Sequence, residues 1–192
     1  MPARKTISQS KSSPTTIRTH SLLEFTTAMD VNATGTFNLS RLAAQRMATR
    51  DPDGNGLRGV LVNTASIVAY EGQVGQVAYS ASKGAVVGMT LPMARGEFLD
   101  GYGILNTMQV LTFWKDLAPF GIRVMAIAPG LFKTPMLDSL SPEALQQMGE
   151  TVPCPKRLGD PMEFGQLVGS IVQNPMLNGE VIRLDGAYRM PP

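Results

Sequence analysis

Apolar residues along the chain fall into three short continuous runs and three longer stretches of helical spacing. Gly59-Val60-Leu61-Val62-Asn63-Thr64 is the first run, set between the turn-rich DPDGNG at 51–56 and a polar loop that begins at Ser66. A short apolar run bounded by turn residues predicts a strand buried on both faces. Ile122-Arg123-Val124-Met125-Ala126-Ile127, closed by Ala128-Pro129-Gly130, predicts a second strand, and Glu180-Val181-Ile182-Arg183-Leu184 after Asn178-Gly179 a third.

Between the runs the period changes to that of helices. From Leu22 to about Arg50, Val31, Gly35, Leu39 and Leu42 recur at helical spacing, with the small residues Ala33, Gly35 and Ala43 allowing close packing. A second helix is predicted from near Val77 through Ala85, Val86, Met89 and Met93. Ser141-Pro142-Glu143 reads as a cap, a first-turn proline and an acid matched to the helix dipole. Asp160-Pro161-Met162-Glu163 repeats that signal more fully, and Phe164, Leu167, Val168, Ile171 and Val172 then form a core-facing stripe. Strands alternating with helices predict an α/β fold on a parallel sheet.

Composition narrows the function classes. With 192 residues, 43% hydrophobic and 17% charged, the chain suits one globular domain with a sizeable core. A formal net charge of +2 with no basic tract gives no indication of nucleic acid as a partner, and no apolar run is long enough to span a membrane as a helix. Cys154 is the only cysteine and His20 the only histidine, so neither a disulfide framework nor a Cys/His metal cluster is expected. The twelve methionines are scattered along the helices and read as core gap-fillers. Residues 1–20 hold Arg4, Lys5, Lys11 and Arg18 with no acid, as an organelle transit peptide does, but Pro2, Pro14 and the missing apolar stripe fit a flexible N-terminal segment equally well.

One constellation carries chemistry. Ser66 lies just past the first strand, Tyr79 follows thirteen positions later, and Lys83 sits one helical turn beyond Tyr79, so both side chains leave the same helix face. A phenol in this position can act as general acid or base toward an alcohol or carbonyl if its reference pKa of about 10 comes down, and a nearby ammonium lowers it. A serine hydroxyl would hold the reacting oxygen where charge develops. Taken singly, Ser66 also reads as a turn or cap residue, and Tyr79 with Lys83 as a surface pair. Their joint order is the signal.

NTAS, YSASK, APG and LDG, in this order and spacing, resemble the short-chain dehydrogenase/reductase family. The resemblance runs from about residue 20 to residue 192. It implies a partial Rossmann-type, doubly wound parallel sheet, NAD as cofactor, and reversible oxidation of the alcohol of a small-molecule substrate, an acyl-CoA or a steroid. It further implies homo-oligomers or pairing with a full-length homologue, and a mitochondrial location, with the cytoplasm as the alternative. Carried over by position, Tyr79 is the acid/base, Lys83 binds the nicotinamide ribose, and Ser66 orients the substrate oxygen. Asn32 organises a proton relay, and Pro129, Gly130, Phe132 and Thr134 line the nicotinamide end of the cofactor.

Two departures from the family are expected to matter. The Gly-rich turn that binds the dinucleotide pyrophosphate, and the strands around it, are not found in the sequence; its glycines before residue 60 are Gly35, Gly54, Gly56 and Gly59. Residues 21–192 therefore match the C-terminal, catalytic part of the family domain, with the first strand expected at an open sheet edge. Second, a block at 96–115 separates PMAR from DLAPFG, which abut in the family; GEFLDGYG reads as a loop and NTMQVLTFWKDL as a resumed helix.

Overall fold

The structure, a computed structural model, describes residues 19–95, 117–137 and 139–191. The expectations for the N-terminal segment and for the 96–115 block fall almost wholly outside these residues. Within them, three strands form one parallel sheet: β1 (Gly59–Thr64), β2 (Ile122–Pro129) and β3 (Val181–Leu184), in the order β1-β2-β3. Gly59 pairs with Ile122 and Thr64 with Ile127, while Ala126 pairs with Val181 and Pro129 with Leu184. The C-terminal ends of the strands therefore lie together.

Helices cover both faces, as the alternating pattern requires. β2 is central and its side chains alternate between two cores. Val124, Ala126 and Ala128 face α3 (Val77–Ala94), where Val86 and Ala65 are buried with them; Leu61, Ala44 and Ala94 extend this side beneath α2 (Gly35–Ala48). Met125 and Ile127 face the other way, onto Ile171, Phe164, Leu167 and Val168 of α5 (Pro161–Gln173). Full burial of a side chain such as Ile127 contributes about 1.5–3 kcal/mol.

Cap chemistry places the later helices where the sequence puts them. Ser141 Oγ accepts the Ala144 N–H at 3.2 Å at the start of α4 (Pro142–Glu150). Asp160 and Glu163 form the full capping box of α5: Asp160 Oδ1 accepts from the Met162 N–H at 2.8 Å, and Glu163 Oε2 from the Asp160 N–H at 2.7 Å.

Two expectations are corrected. The stretch from Leu22 to about Arg50 is not one regular helix: α1 (Leu22–Met29) passes through a π-turn at Asp30–Thr34 before α2, marked by the Gly35 N–H donating to the Asp30 carbonyl. The Val31, Leu39 and Leu42 stripe points outward, at 69, 70 and 46% exposure, while Ala33, Ser40 and Ala44 are buried. Small side chains permit the closer backbone approach, so the face that carries them packs inward. The second correction concerns β1, of which only Leu61 is buried; the other five residues are half-buried or exposed. Among the described residues β1 pairs only with β2, so its outer edge has no strand to exclude water.

Candidate active site

β1 runs out at Thr64, but the Ala65 N–H still donates to the Ile127 carbonyl at 2.8 Å, so the next residue is held by the sheet. Ser66 follows in extended conformation, 7% exposed, and its Oγ accepts the Val68 N–H at 3.2 Å, capping a 3-10 turn at Ile67–Ala69. The bland reading of Ser66 as a cap is thus correct. It does not exclude the other, because the hydroxyl keeps its own proton to donate.

The loop after Ser66 is tied to the first turn of α3. Ser80 Oγ donates to the Val68 carbonyl at 2.8 Å, and Gly72 backs so closely onto Ser80 that an added Cβ would lie 2.7 Å from its Oγ. Tyr79 stands in this turn with 39% of its surface exposed. One turn on, Lys83 Nζ donates to the Thr64 carbonyl at 2.9 Å and lies 5.8 Å from the centroid of the Tyr79 ring. Burial pushes the Lys83 pKa below the usual lysine range. Lys83 thus ties the helix face that carries Tyr79 to the end of β1, two residues before Ser66.

Asn32 reaches the same turn by a route the sequence does not reveal. It lies in the π-turn, and its Nδ2 donates to Ser82 Oγ at 3.1 Å; Ser82 Oγ in turn donates to the Tyr79 carbonyl at 2.8 Å. The contact is with the residue before Lys83, not with Lys83 itself. Ser82 is fully buried and is a site-building residue that the Ser66–Tyr79–Lys83 pattern does not include. Its position three residues after Tyr79, on the inner side of α3, is the signal that marks it.

The segment after β2 divides. The Gly130 N–H donates to the Leu184 carbonyl at 3.0 Å, and a Cβ here would sit 2.8 Å from that of Asp185, so the Pro129-Gly130 turn depends on a close approach of two backbone segments. Phe132 bridges Gly159 and packs edge-on against Phe164, with ring centroids 6.4 Å apart at 88°. Its ring covers the start of α5. Thr134 is exposed, and its carbonyl accepts the Leu137 N–H at 2.9 Å. The pairing of β1 with β2 puts Ser66 and Gly130 at the same end of the sheet, which is where open α/β sheets bind ligands. Among the described residues no group of His, Cys, Asp and Glu is arranged to hold a metal ion.

The family model described as short chain dehydrogenase matches residues 10–100. The 3-hydroxyacyl-CoA dehydrogenase type-2 of Homo sapiens is 54% identical over 175 residues, which is 91% of this chain and 59% of that protein. The protein of the same name from Drosophila melanogaster is 49% identical over 173 residues, 90% of this chain and 60% of that one. The crystal structure of 3-hydroxyacyl-CoA dehydrogenase type-2 from Mycobacterium avium matches with a TM-score of 0.75 and 44% identity, covering 88% of this chain and 57% of that chain. The chain thus spans about three fifths of the length of the curated relatives it matches. With the Ser66, Tyr79 and Lys83 geometry and this similarity together, the chain belongs to the short-chain dehydrogenase family.

Proposed function

We propose that the chain carries the proton-transfer part of an NAD-dependent oxidoreductase site that acts on the hydroxyl or carbonyl of 3-hydroxyacyl-CoA or hydroxysteroid substrates. The observation that carries this reading is Lys83, held by the Thr64 carbonyl with its ammonium beside the Tyr79 ring, at the strand end that bears Ser66. The Tyr79 hydroxyl exchanges a proton with the substrate oxygen. Lys83 puts positive charge where negative charge builds as the phenol gives that proton up. The Ser66 O–H donates to the same substrate oxygen and fixes its position.

The residues present fit one end of the cofactor. Lys83 has two N–H groups beyond the one on Thr64 that would serve the hydroxyls of a nicotinamide ribose, and the Pro129-Gly130 turn, at the same end of the sheet, would line the nicotinamide end. When bound, NAD supplies the hydride acceptor. Among the described residues no glycine-rich turn leads from a strand directly into a helix N-terminus, so none of them forms a cradle for the pyrophosphate end. Cofactor affinity is therefore expected to be low and turnover slow.

The test is reduction of acetoacetyl-CoA by NADH with the chain in excess. Slow turnover in the wild type that falls by about 100-fold or more in Tyr79→Phe, with unchanged circular dichroism, is the expected result. Equal rates in the two proteins, or no turnover at any NADH concentration, would overturn it. A second reading, a non-catalytic partner of a second or full-length chain of the family, is favoured by the outward apolar row of Leu22, Leu23, Val31 and Leu39, at 75, 75, 69 and 70% exposure. It predicts a larger species in gel filtration that Leu39→Glu dissociates. The family resemblance together with the acid-free, basic residues 1–20 supports a mitochondrial location, which imaging of a C-terminal fluorescent fusion tests.

A further inference from the structure

We infer that Arg183 is a positioning residue that holds the loop between Ser66 and Tyr79 in register with the Pro129-Gly130 turn, by joining Glu71 on one side to Asp185 on the other. This rests on the function proposed above. Arg183 lies on β3, far in sequence from the serine and the tyrosine, and its guanidinium divides its nitrogens among separate segments. Nη1 donates to Glu71 Oε1 at 2.8 Å, Nε to Asp185 Oδ2 at 2.7 Å, and Nη2 to the Tyr188 carbonyl at 3.2 Å. Its plane also stands 5.4 Å from the centroid of the Tyr70 ring, one residue before Glu71.

Each carboxylate extends the link. Glu71 Oε2 accepts the Met190 N–H at 3.0 Å, and Asp185 Oδ2 also accepts from Arg189 Nη1 at 3.1 Å, so the C-terminal residues are drawn onto the loop. Asp185 is the residue whose Cα and Cβ fill the space beside Gly130. At the other end, Gly72, next to Glu71, backs onto Ser80, next to Tyr79. A continuous path thus runs from Gly130 through Asp185, Arg183, Glu71, its chain neighbour Gly72 and Ser80 to the turn that carries Tyr79. The side chains in its middle are well covered, with Arg183 at 24%, Glu71 at 21% and Asp185 at 7% exposure. A lysine cannot replace the planar fork, because one ammonium on a flexible stem does not serve two carboxylates and a carbonyl in fixed directions. The distance between the proton-transfer groups and the cofactor-side turn is what such a brace sets, and a misplacement of about 1 Å there costs rate rather than affinity.

The test uses the full chain, 15N-labelled, with Glu71→Gln, Arg183→Lys and Arg183→Met, read by amide resonances and hydrogen exchange. Glu71 does not touch Gly130. Glu71→Gln is nevertheless expected to move the Gly130 and Tyr79 amide signals and to speed exchange of the Gly130 amide by about tenfold, while α5 amides keep their wild-type rates. Arg183→Met should do the same, and Arg183→Lys should not restore the wild-type spectrum. A Glu71→Gln effect confined to residues 66–76, or exchange that rises throughout the chain with a lowered melting point, would overturn the inference. Where NADH-dependent turnover is measurable, Arg183→Met should cut the rate at saturation by about tenfold and leave KM for the acyl substrate within about twofold; a change in KM alone counts against it. Exchange does not need turnover, so a chain without oxidoreductase activity still shows or lacks the coupling, and the two ideas fail separately.

Discussion

Replacing Arg123 is expected to cost more stability than any change in the candidate active site. This side chain rises from the second residue of β2 and is only 5% exposed. Its Nη1 donates to the carbonyls of Ile171, Asn174 and Leu177 at 3.0, 3.1 and 2.7 Å, and Nη2 to that of Val172 at 3.0 Å. The carbonyls of Ile171 and Val172 belong to the last turn of α5, which helix geometry leaves without intrahelical partners and where the dipole favours a cation; those of Asn174 and Leu177 lie just past it, and that of Asn174 also accepts the Leu177 N–H at 3.2 Å. Arg123→Met keeps much of the stem and removes every donor. Each buried carbonyl left unpaired costs about 1–3 kcal/mol, and rehydration of the outer ones recovers part of that. Relief from burying a cation, whose Nε has no partner, offsets a further part. The net loss is about 3–4 kcal/mol, in the range found when one member of a buried ionic group is removed. For a chain of this length that is a fall of about 10 °C in Tm. Urea unfolding followed by far-UV circular dichroism measures it as a shift in midpoint at constant slope. A loss below about 1 kcal/mol would show that the guanidinium contributes no more than its own desolvation costs, and the reasoning would fail.

Three further outcomes follow from single contacts. Lys83 has a lowered pKa through burial, so on raising the pH the folded chain releases its proton before the unfolded chain does; stability should rise as pH climbs toward the usual lysine range, and Lys83→Met should remove that rise from alkaline urea midpoints. Glu163 is held to about 2, first by the Arg157 guanidinium and then by the Asp160 N–H, so its contribution is present above the ordinary value of 4.5 and lost as pH falls toward about 2. Glu163→Gln should flatten that part of the acid titration curve, and a curve unchanged from wild type would count against the pair. Gly130→Ala forces a methyl into the 2.8 Å gap against Asp185 and should cost about 1–3 kcal/mol by thermal melting; an unchanged melting point would mean that the turn can move aside.

The strands and the later helices were legible because each carries its own local signal. β2 reads as a buried strand and is one, and the capping box at Asp160 and Glu163 announces α5 before any tertiary contact is known. The helix of Tyr79 and Lys83 was equally plain, since four-residue spacing alone puts both on one face. What was not legible depends on distant partners. Val31, Leu39 and Leu42 have the spacing of a core stripe, but the π-turn and the small residues beside them decide which face packs. Asn32 finds Ser82 fifty residues away, Lys83 finds a backbone carbonyl, and Phe132 lies against the start of α5. The local pattern gives no reason for Arg123 in an otherwise apolar strand; its partners are carbonyls at and past the end of α5.

The strand order carries a consequence for how the chain reaches this state. β1, β2 and β3 follow one another in the sheet as in the sequence, all parallel, and roughly fifty residues separate each pair, so both pairings must close long loops before any contact rewards them. While β2 waits for its neighbours, its apolar side chains and unpaired backbone N–H and C=O groups are open to other chains. Refolding should therefore be slow, and its yield should depend on dilution.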